Sequence, residues 1–192
     1  MDAGSWKRLH QAVEFYVDRG YTYVDAPWAV GRRVMDMTCP RPDLASPLED
    51  KFLVGSAEQS FLELEIDTLG TGRFVALTPC FRVADAGRSV NHSPYFMKVE
   101  LYSNSALRRE RVLRRMIEDA KACFTMLGAT NLELHNIQDE TAKFAQDIVW
   151  RGLELGSYGI RKRQHPVLEE EHIWIYGTGL AEPRFSQALR RY

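Results

Sequence analysis

Phe81-Arg82-Val83-Ala84-Asp85, then a polar stretch, then Tyr95-Phe96-Met97-Lys98-Val99-Glu100-Leu101-Tyr102: this span decides the fold. The second run alternates. Phe96, Lys98, Glu100 and Tyr102 fall on one face, and Met97, Val99 and Leu101 on the other, which is the period of a half-buried strand. Phe74-Val75-Ala76-Leu77 and Phe81-Arg82-Val83 read as strand around Pro79, and Asp85 to Pro94 as a polar loop. Strand, loop and strand make a long antiparallel hairpin.

Working outward, Ser5 to Asp18 has a helical period and Gly20 is its stop. Tyr21 to Ala26 is rich in β-branched and aromatic residues, a strand ending at Pro27. Cys39 to Asp50 carries three prolines and reads as a loop. Lys51 to Val54 is a short strand, and Glu58 to Leu69 is helical in period. Ala106 to Leu127 is the clearest helix. Leu113, Met116, Ile117, Ala120, Phe124 and Leu127 form its apolar stripe, and Arg108, Arg109, Arg111, Arg114 and Arg115 its outer face. That arginine run suits a solvated face, and equally an acidic or nucleic-acid partner. Strands follow at residues 131–135, 152–156 and 172–176, and a final helix is predicted over 180–192. The pattern predicts an α+β fold, a mainly antiparallel β-sheet flanked by helices.

The 192 residues suit one domain. A net charge of −1 lacks the basic excess of a general nucleic-acid binder. No stretch approaches the ~18 apolar residues of a membrane span, and the N-terminus lacks a signal-peptide core. Cys39, Cys80 and Cys123 form no disulfide framework and no CxxC pair, so a reducing, cytoplasmic setting is expected.

Three places gather polar groups suited to chemistry. On the hairpin, Arg82, Phe96, Lys98 and Glu100 offer cations, an aromatic platform and a carboxylate, which suits a flat anionic ligand such as a nucleotide. Ordinary cross-strand ion pairs on a half-exposed sheet would look the same. In Gly177-Thr178-Gly179-Leu180-Ala181-Glu182-Pro183-Arg184, glycines at a strand-to-helix junction would let a phosphate approach the backbone; a plain tight turn is the other reading. Glu154 and Ser157, at a strand end, suit magnesium ligation beside phosphates, or simple solvation.

Taken in order, these segments resemble the three motifs of class II aminoacyl-tRNA synthetases. Phe15 to Pro27 looks like motif 1, a helix and a strand ending in proline that forms the dimer interface. Phe81-Arg82 with Phe96-Met97-Lys98-Val99-Glu100 looks like motif 2. Gly177 to Arg184 looks like motif 3. The Phe-x-Lys-x-Glu and Gly-Thr-Gly-Leu-Ala-x-x-Arg patterns are similar to those of seryl-type synthetases and of synthetase-like amino-acid:carrier-protein ligases. Ser56-Ala57-Glu58 sits where those enzymes carry a loop that grips the substrate amino group. The resemblance runs from about residue 5 to the C-terminus.

The resemblance implies a single synthetase-like catalytic domain over 1–192, a homodimer built through residues 5–27, and ATP and magnesium as cofactors. Arg82 and Arg184 would be catalytic. Arg82, Asp85, Phe96, Glu154, Ser157, Gly177, Gly179 and Arg184 would bind ATP, with Phe96 stacked on adenine and Arg82 on the α-phosphate. Ser56, Glu58, Lys98 and Glu100 would bind the amino acid, and Glu154 and Ser157 the metal. Two departures stand out. Motif 2 carries an acid two residues after its arginine, and Ala84 stands there; Asp85, next along, points to the opposite face unless a bulge shifts it. The cysteine of zinc-using relatives is absent near Tyr158. No anticodon domain or tRNA arm is expected over this length. The expected function is therefore activation of an amino acid to its adenylate, with transfer to a non-tRNA acceptor such as a carrier protein or a small molecule. A silent regulatory paralogue and a minimal tRNA synthetase core needing a partner are the alternatives.

Overall fold

A computed structural model describes residues 1–39, 45–66, 68–82, 93–165 and 169–190. Helix α1 (Ala3–Asp18) starts on Asp2, whose carboxylate accepts the Ser5 amide at 2.8 Å. Leu9, Ala12 and Tyr16 recur on one face and are fully buried. Gly20, at φ +83°, turns the chain into β1 (Thr22–Tyr23).

A smaller layer follows: β2 (Ala29–Val30), α2 (Arg32–Thr38), β3 (Pro47–Leu48), β4 (Lys51–Leu53) and α3 (Ala57–Glu65). The main sheet is then laid down by β5 (Arg73–Phe81), β6 (Tyr95–Ser103), β7 (Glu133–Asn136), β8 (Ala142–Trp150), β9 (Leu153–Gln164) and β10 (Glu171–Glu182). Helix α4 (Arg109–Met126) separates β6 from β7, and α5 (Arg184–Arg190) follows β10. The seven-stranded order is β1-β5-β6-β10-β9-β8-β7, parallel only at β1–β5. The architecture is α+β, as the sequence pattern predicts.

The sheet separates two cores. Val99 and Leu101 of β6 face Tyr16 of α1, Met116 and Phe124 of α4 and Phe185 of α5. Tyr102 of β6 and Trp174 and Tyr176 of β10 face the other way, against Phe61 and Leu62 of α3 and Met35 of α2. The alternation of β6 is thus the one expected. Each core buries more than a dozen apolar side chains, the main source of stability.

Four expectations are corrected. β8 was not foreseen, because register shifts at Lys143/Gln146 and Ile148/Val149 scramble its alternation, and Phe144 has φ +54°. The strand expected at 152–156 runs on to Gln164, and the one expected over Tyr21–Ala26 pairs only at Thr22 and Tyr23. The C-terminal helix begins at Arg184, not Leu180. Residues 180–182 remain in β10, paired with Val99, Lys98 and Met97, and Pro183, lacking an N–H, ends the ladder. Gly177 and Gly179 therefore lie inside a strand rather than at a strand-to-helix turn. A Cβ at Gly177 would lie 2.6 Å from Tyr158 Cδ1 and 2.7 Å from Met116 Sδ, and one at Gly179 2.8 Å from Tyr16 Cε2. Their missing side chains let the helical layer pack close to the sheet.

Candidate functional site

The site lies on the face of the sheet away from α1 and α4. It begins with α3. Ser56 caps this helix and Gln59 reaches back to the Gly55 amide at 2.8 Å, so the first turn is held firmly. That geometry directs the Ser56 hydroxyl across to β6, where it donates to Glu100 Oε2 at 2.6 Å. Lys98 Nζ donates to Glu100 Oε1 at 2.8 Å. Glu100 is fully buried, with both oxygens satisfied.

Glu58 stands in the first turn of α3, where the helix dipole favours a carboxylate. Trp174 Nε1 donates to its Oε1 at 2.5 Å, and Arg161 of β9 forms a short ion pair with its Oε2. The Arg161 guanidinium lies 4.3 Å from the centroid of the Tyr176 ring and 3.8 Å from Asp139. Burial alone would lower the Arg161 pKa, but the Glu58 charge reverses this and raises it. Its Nε is buried with no hydrogen-bond partner among the described residues. Burial works to raise Asp139, yet the hydroxyl and amide of Thr141 and the Arg161 charge hold it below the usual carboxylate range.

At the other end of the same face, where β5 and β10 finish and β6 and β9 start, the charges are open. Arg82 is exposed. It donates from Nε to the Gly55 carbonyl at 2.9 Å and holds its guanidinium 5.3 Å from the centroid of the half-buried Phe96 ring. Arg184, the first residue of α5, donates to Glu154 Oε1 at 2.8 Å. Ser157 pairs in register with Asp147 of β8. Burial raises the Asp147 carboxyl above its ordinary range, the Ser157 hydrogen bond opposes this, and the nearby Glu154 charge adds to it. Asp147 Oδ1 is buried without a partner among the described residues. Two carboxylates and a hydroxyl are the hard oxygen donors that suit magnesium. No trio of His, Cys, Asp or Glu gathers around a metal position among the described residues.

Of the residues singled out from sequence, Ser56, Lys98 and Glu100 come together, as do Arg82 with Phe96 and Arg184 with Glu154. Glu58 lies beside the first group, held by Arg161 and Trp174. Gly177 and Gly179 sit inside β10. Ala84 and Asp85 lie outside the described residues. Arg161, Asp139 and Asp147 were not anticipated. Alternation through Ile160-Arg161-Lys162-Arg163 puts Arg161 opposite the apolar Ile160, a signal for one side of a strand, but its partner Glu58 is 103 positions away.

No family model matches the chain. The serine–tRNA ligase of Cenarchaeum symbiosum (strain A) is 29% identical over 93 residues, covering 41% of this chain and 22% of that one. Seryl-tRNA synthetase from Pyrococcus horikoshii, solved complexed with ATP, superposes with a TM-score of 0.76 at 20% identity, covering 94% of this chain and 48% of that chain. The pyrrolysyl-tRNA synthetase PylSc of Desulfitobacterium hafniense superposes at 0.74 with 16% identity, covering 95% and 67%. The chain thus spans about half the length of the seryl-type structure and far less of the curated relative. The fold is that of the class II aminoacyl-tRNA synthetase catalytic domain.

Proposed function

We propose that the chain binds ATP and an amino acid on this sheet face, joins them as an aminoacyl adenylate, and passes the acyl group to an acceptor other than tRNA. The observation that carries this reading is one surface with an exposed cation–aromatic end, Arg82 over Phe96, next to a buried carboxylate corner, Glu58 and Glu100. In this reading Phe96 stacks on the base and Arg82 takes the α-phosphate, for which its exposed guanidinium already points away from any carboxylate partner among the described residues. Arg184 exchanges Glu154 for the distal phosphates. Glu154, Ser157 and Asp147 hold magnesium, which supplies charge neutralisation on the leaving pyrophosphate. Ser56, Lys98 and Glu100 orient the amino acid. The carboxylate attacks the α-phosphorus in line, so no covalent enzyme intermediate is needed, and positioning and charge stabilisation supply the rate.

Around α1, Trp6, Val17 and Tyr23 are about half exposed beside Val13 and Leu77, an apolar strip that supports homodimer assembly through residues 5–27. No helix among the described residues is long and apolar enough to cross a membrane. The free thiols suit the cytoplasm.

A second reading has one specific observation behind it. Both oxygens of Glu58 already have donors, Arg161 and Trp174, so an incoming ammonium must compete with Arg161. A catalytically silent regulatory paralogue would tolerate that arrangement. Amino-acid-dependent exchange of labelled pyrophosphate into ATP separates the two. The adenylate reading expects exchange with at least one amino acid or close analogue. Absence of exchange across all of them, with no heat of ATP binding in calorimetry, overturns it.

A further inference from the structure

At the end of the strands opposite Arg82 and Arg184 lies a cleft of about 1050 Å³ between the start of α4 and the ends of β8, β9 and β10. One wall is Arg108, Arg109, Arg111 and Arg114 of α4 and its entry. The other wall carries Lys143, Lys162 and Arg163. Against these cations the lining has Glu110, Asp139 and Glu140, so the cleft is basic in a chain whose net charge is −1. Arg108, Arg111, Arg114 and Lys143 have no ion pair among the described residues, and Arg109 Nε is buried there without a hydrogen bond. The arginines of α4, which a solvated face would explain from sequence alone, instead converge with a second basic wall.

Its apolar elements are as informative as the charge. Ile160, Ile173 and Ala142 line it, Phe144 beside it is 57% exposed, and Leu107 at the α4 entry is 78% exposed. An apolar floor between two basic walls is complementary to an amphipathic helix with an apolar stripe flanked by carboxylates, and the positive end of α4 adds to that attraction. A nucleic-acid backbone fits less well. The carboxylates of Glu110, Asp139 and Glu140 would repel a continuous row of phosphates, whereas a protein can place hydrogen-bond donors opposite them.

We propose that this cleft docks an acidic amphipathic helix of a partner protein. Asp139 lines the cleft and also pairs with Arg161, the neighbour of Glu58, so a docked partner stands one ion pair from the amino-acid corner. Where the adenylate reading holds, that partner is the acyl acceptor; this clause alone rests on it.

Fluorescence anisotropy tests the docking without needing activity. The probes are a labelled glutamate-rich amphipathic helical peptide with leucines on one face, the same peptide with glutamine for glutamate, and a labelled polyuridylate. The full chain should bind the acidic peptide with an affinity that falls as salt rises. It should bind the glutamine peptide and polyuridylate more weakly. Arg111→Glu, Arg114→Glu and Lys143→Glu together should weaken acidic-peptide binding by about tenfold or more, from a few exposed charge contacts. The neutral set, Arg111→Gln, Arg114→Gln and Lys143→Gln, should fall between, with an unchanged melting curve and unchanged pyrophosphate exchange. Polyuridylate binding as tightly as the acidic peptide overturns the proposal, as does an acidic peptide indifferent to either variant set. Loss of exchange in the parent protein would remove the adenylate reading and leave the docking result standing.

Discussion

At Glu58 and Glu100 all four carboxylate oxygens have donors inside the protein: Trp174, Arg161, Ser56 and Lys98. A few residues along the same strands, the exposed Arg82 guanidinium has one hydrogen bond among the described residues, to a backbone carbonyl, and Arg184 holds the half-exposed Glu154. The difference is physical. A buried charge must be paired where it stands, so the Glu58–Glu100 corner is rigid and preorganised. An exposed cation can exchange its partner for another anion at little cost, so the Arg82–Arg184 end is free to rearrange. One face therefore combines a fixed corner and an adaptable end.

Removing a fixed partner should hurt most. Glu58→Ala leaves the partly buried Arg161 beside Tyr176 without its main counter-charge and Trp174 Nε1 without its acceptor, and should cost about 3 kcal/mol in urea unfolding, the low end of the range for a broken buried pair. Glu58→Gln, which keeps a hydrogen-bond acceptor, should cost less. A loss under 1 kcal/mol for the alanine variant, well below that range, would mean the corner is not rigid. Arg82→Ala should do the reverse. Pyrophosphate exchange should drop by about 10²–10³-fold while stability moves by no more than about 0.5 kcal/mol. Normal exchange in that variant would refute the role given to Arg82.

Strand β10 runs under both regions. Gly179→Ala places a methyl 2.8 Å from Tyr16 and 2.9 Å from Val99. Overpacking of this kind should cost about 1–3 kcal/mol in denaturant melts. Exchange should persist in the folded fraction, since the added group faces the helical layer.

The smallest effect concerns Asp147. Its folded pKa is raised, so the stability linked to its protonation is full below the ordinary carboxylate range and is lost as pH rises through the raised value. Asp147→Asn should therefore melt higher than the parent at neutral pH, with the difference closing as pH falls and vanishing below the ordinary carboxylate range. Magnesium should stabilise the parent at neutral pH and not the variant. An equal magnesium-induced melting shift in parent and variant would remove Asp147 from the proposed magnesium donors.

Much of the scaffold was legible because it follows simple periods. The β6 alternation and the α4 stripe both appear in the structure as read. β8 was hidden, since each bulge shifts the side chains to the other face and a period-of-two reading fails across it. The C-terminal helix starts four residues later than the sequence pattern predicts, because Leu180 and Ala181 favour helix, whereas pairing with Val99 and Lys98 keeps them in the sheet. The candidate site was legible where partners lie on one hairpin or are tied to a motif, as with Lys98 and Glu100. The Glu58–Arg161–Asp139 cluster was not, since three distant segments meet only in the folded sheet. Such non-local pairing leaves no mark in local sequence.

The tie between the two ends of the chain has a consequence for how the protein is made. Arg8 pairs with Glu182, Ser5 meets Ser186, and Tyr16 donates to the Gly179 carbonyl, at separations of 174, 181 and 163 residues. Helix α1 is synthesised well before β10 and α5, so its inner face has no native partner on them until those distant segments have been added. At about 5–20 residues per second that wait is roughly 10–30 s. During that interval the apolar side of α1 is open to a chaperone, and the helical layer closes only once β10 and α5 have emerged.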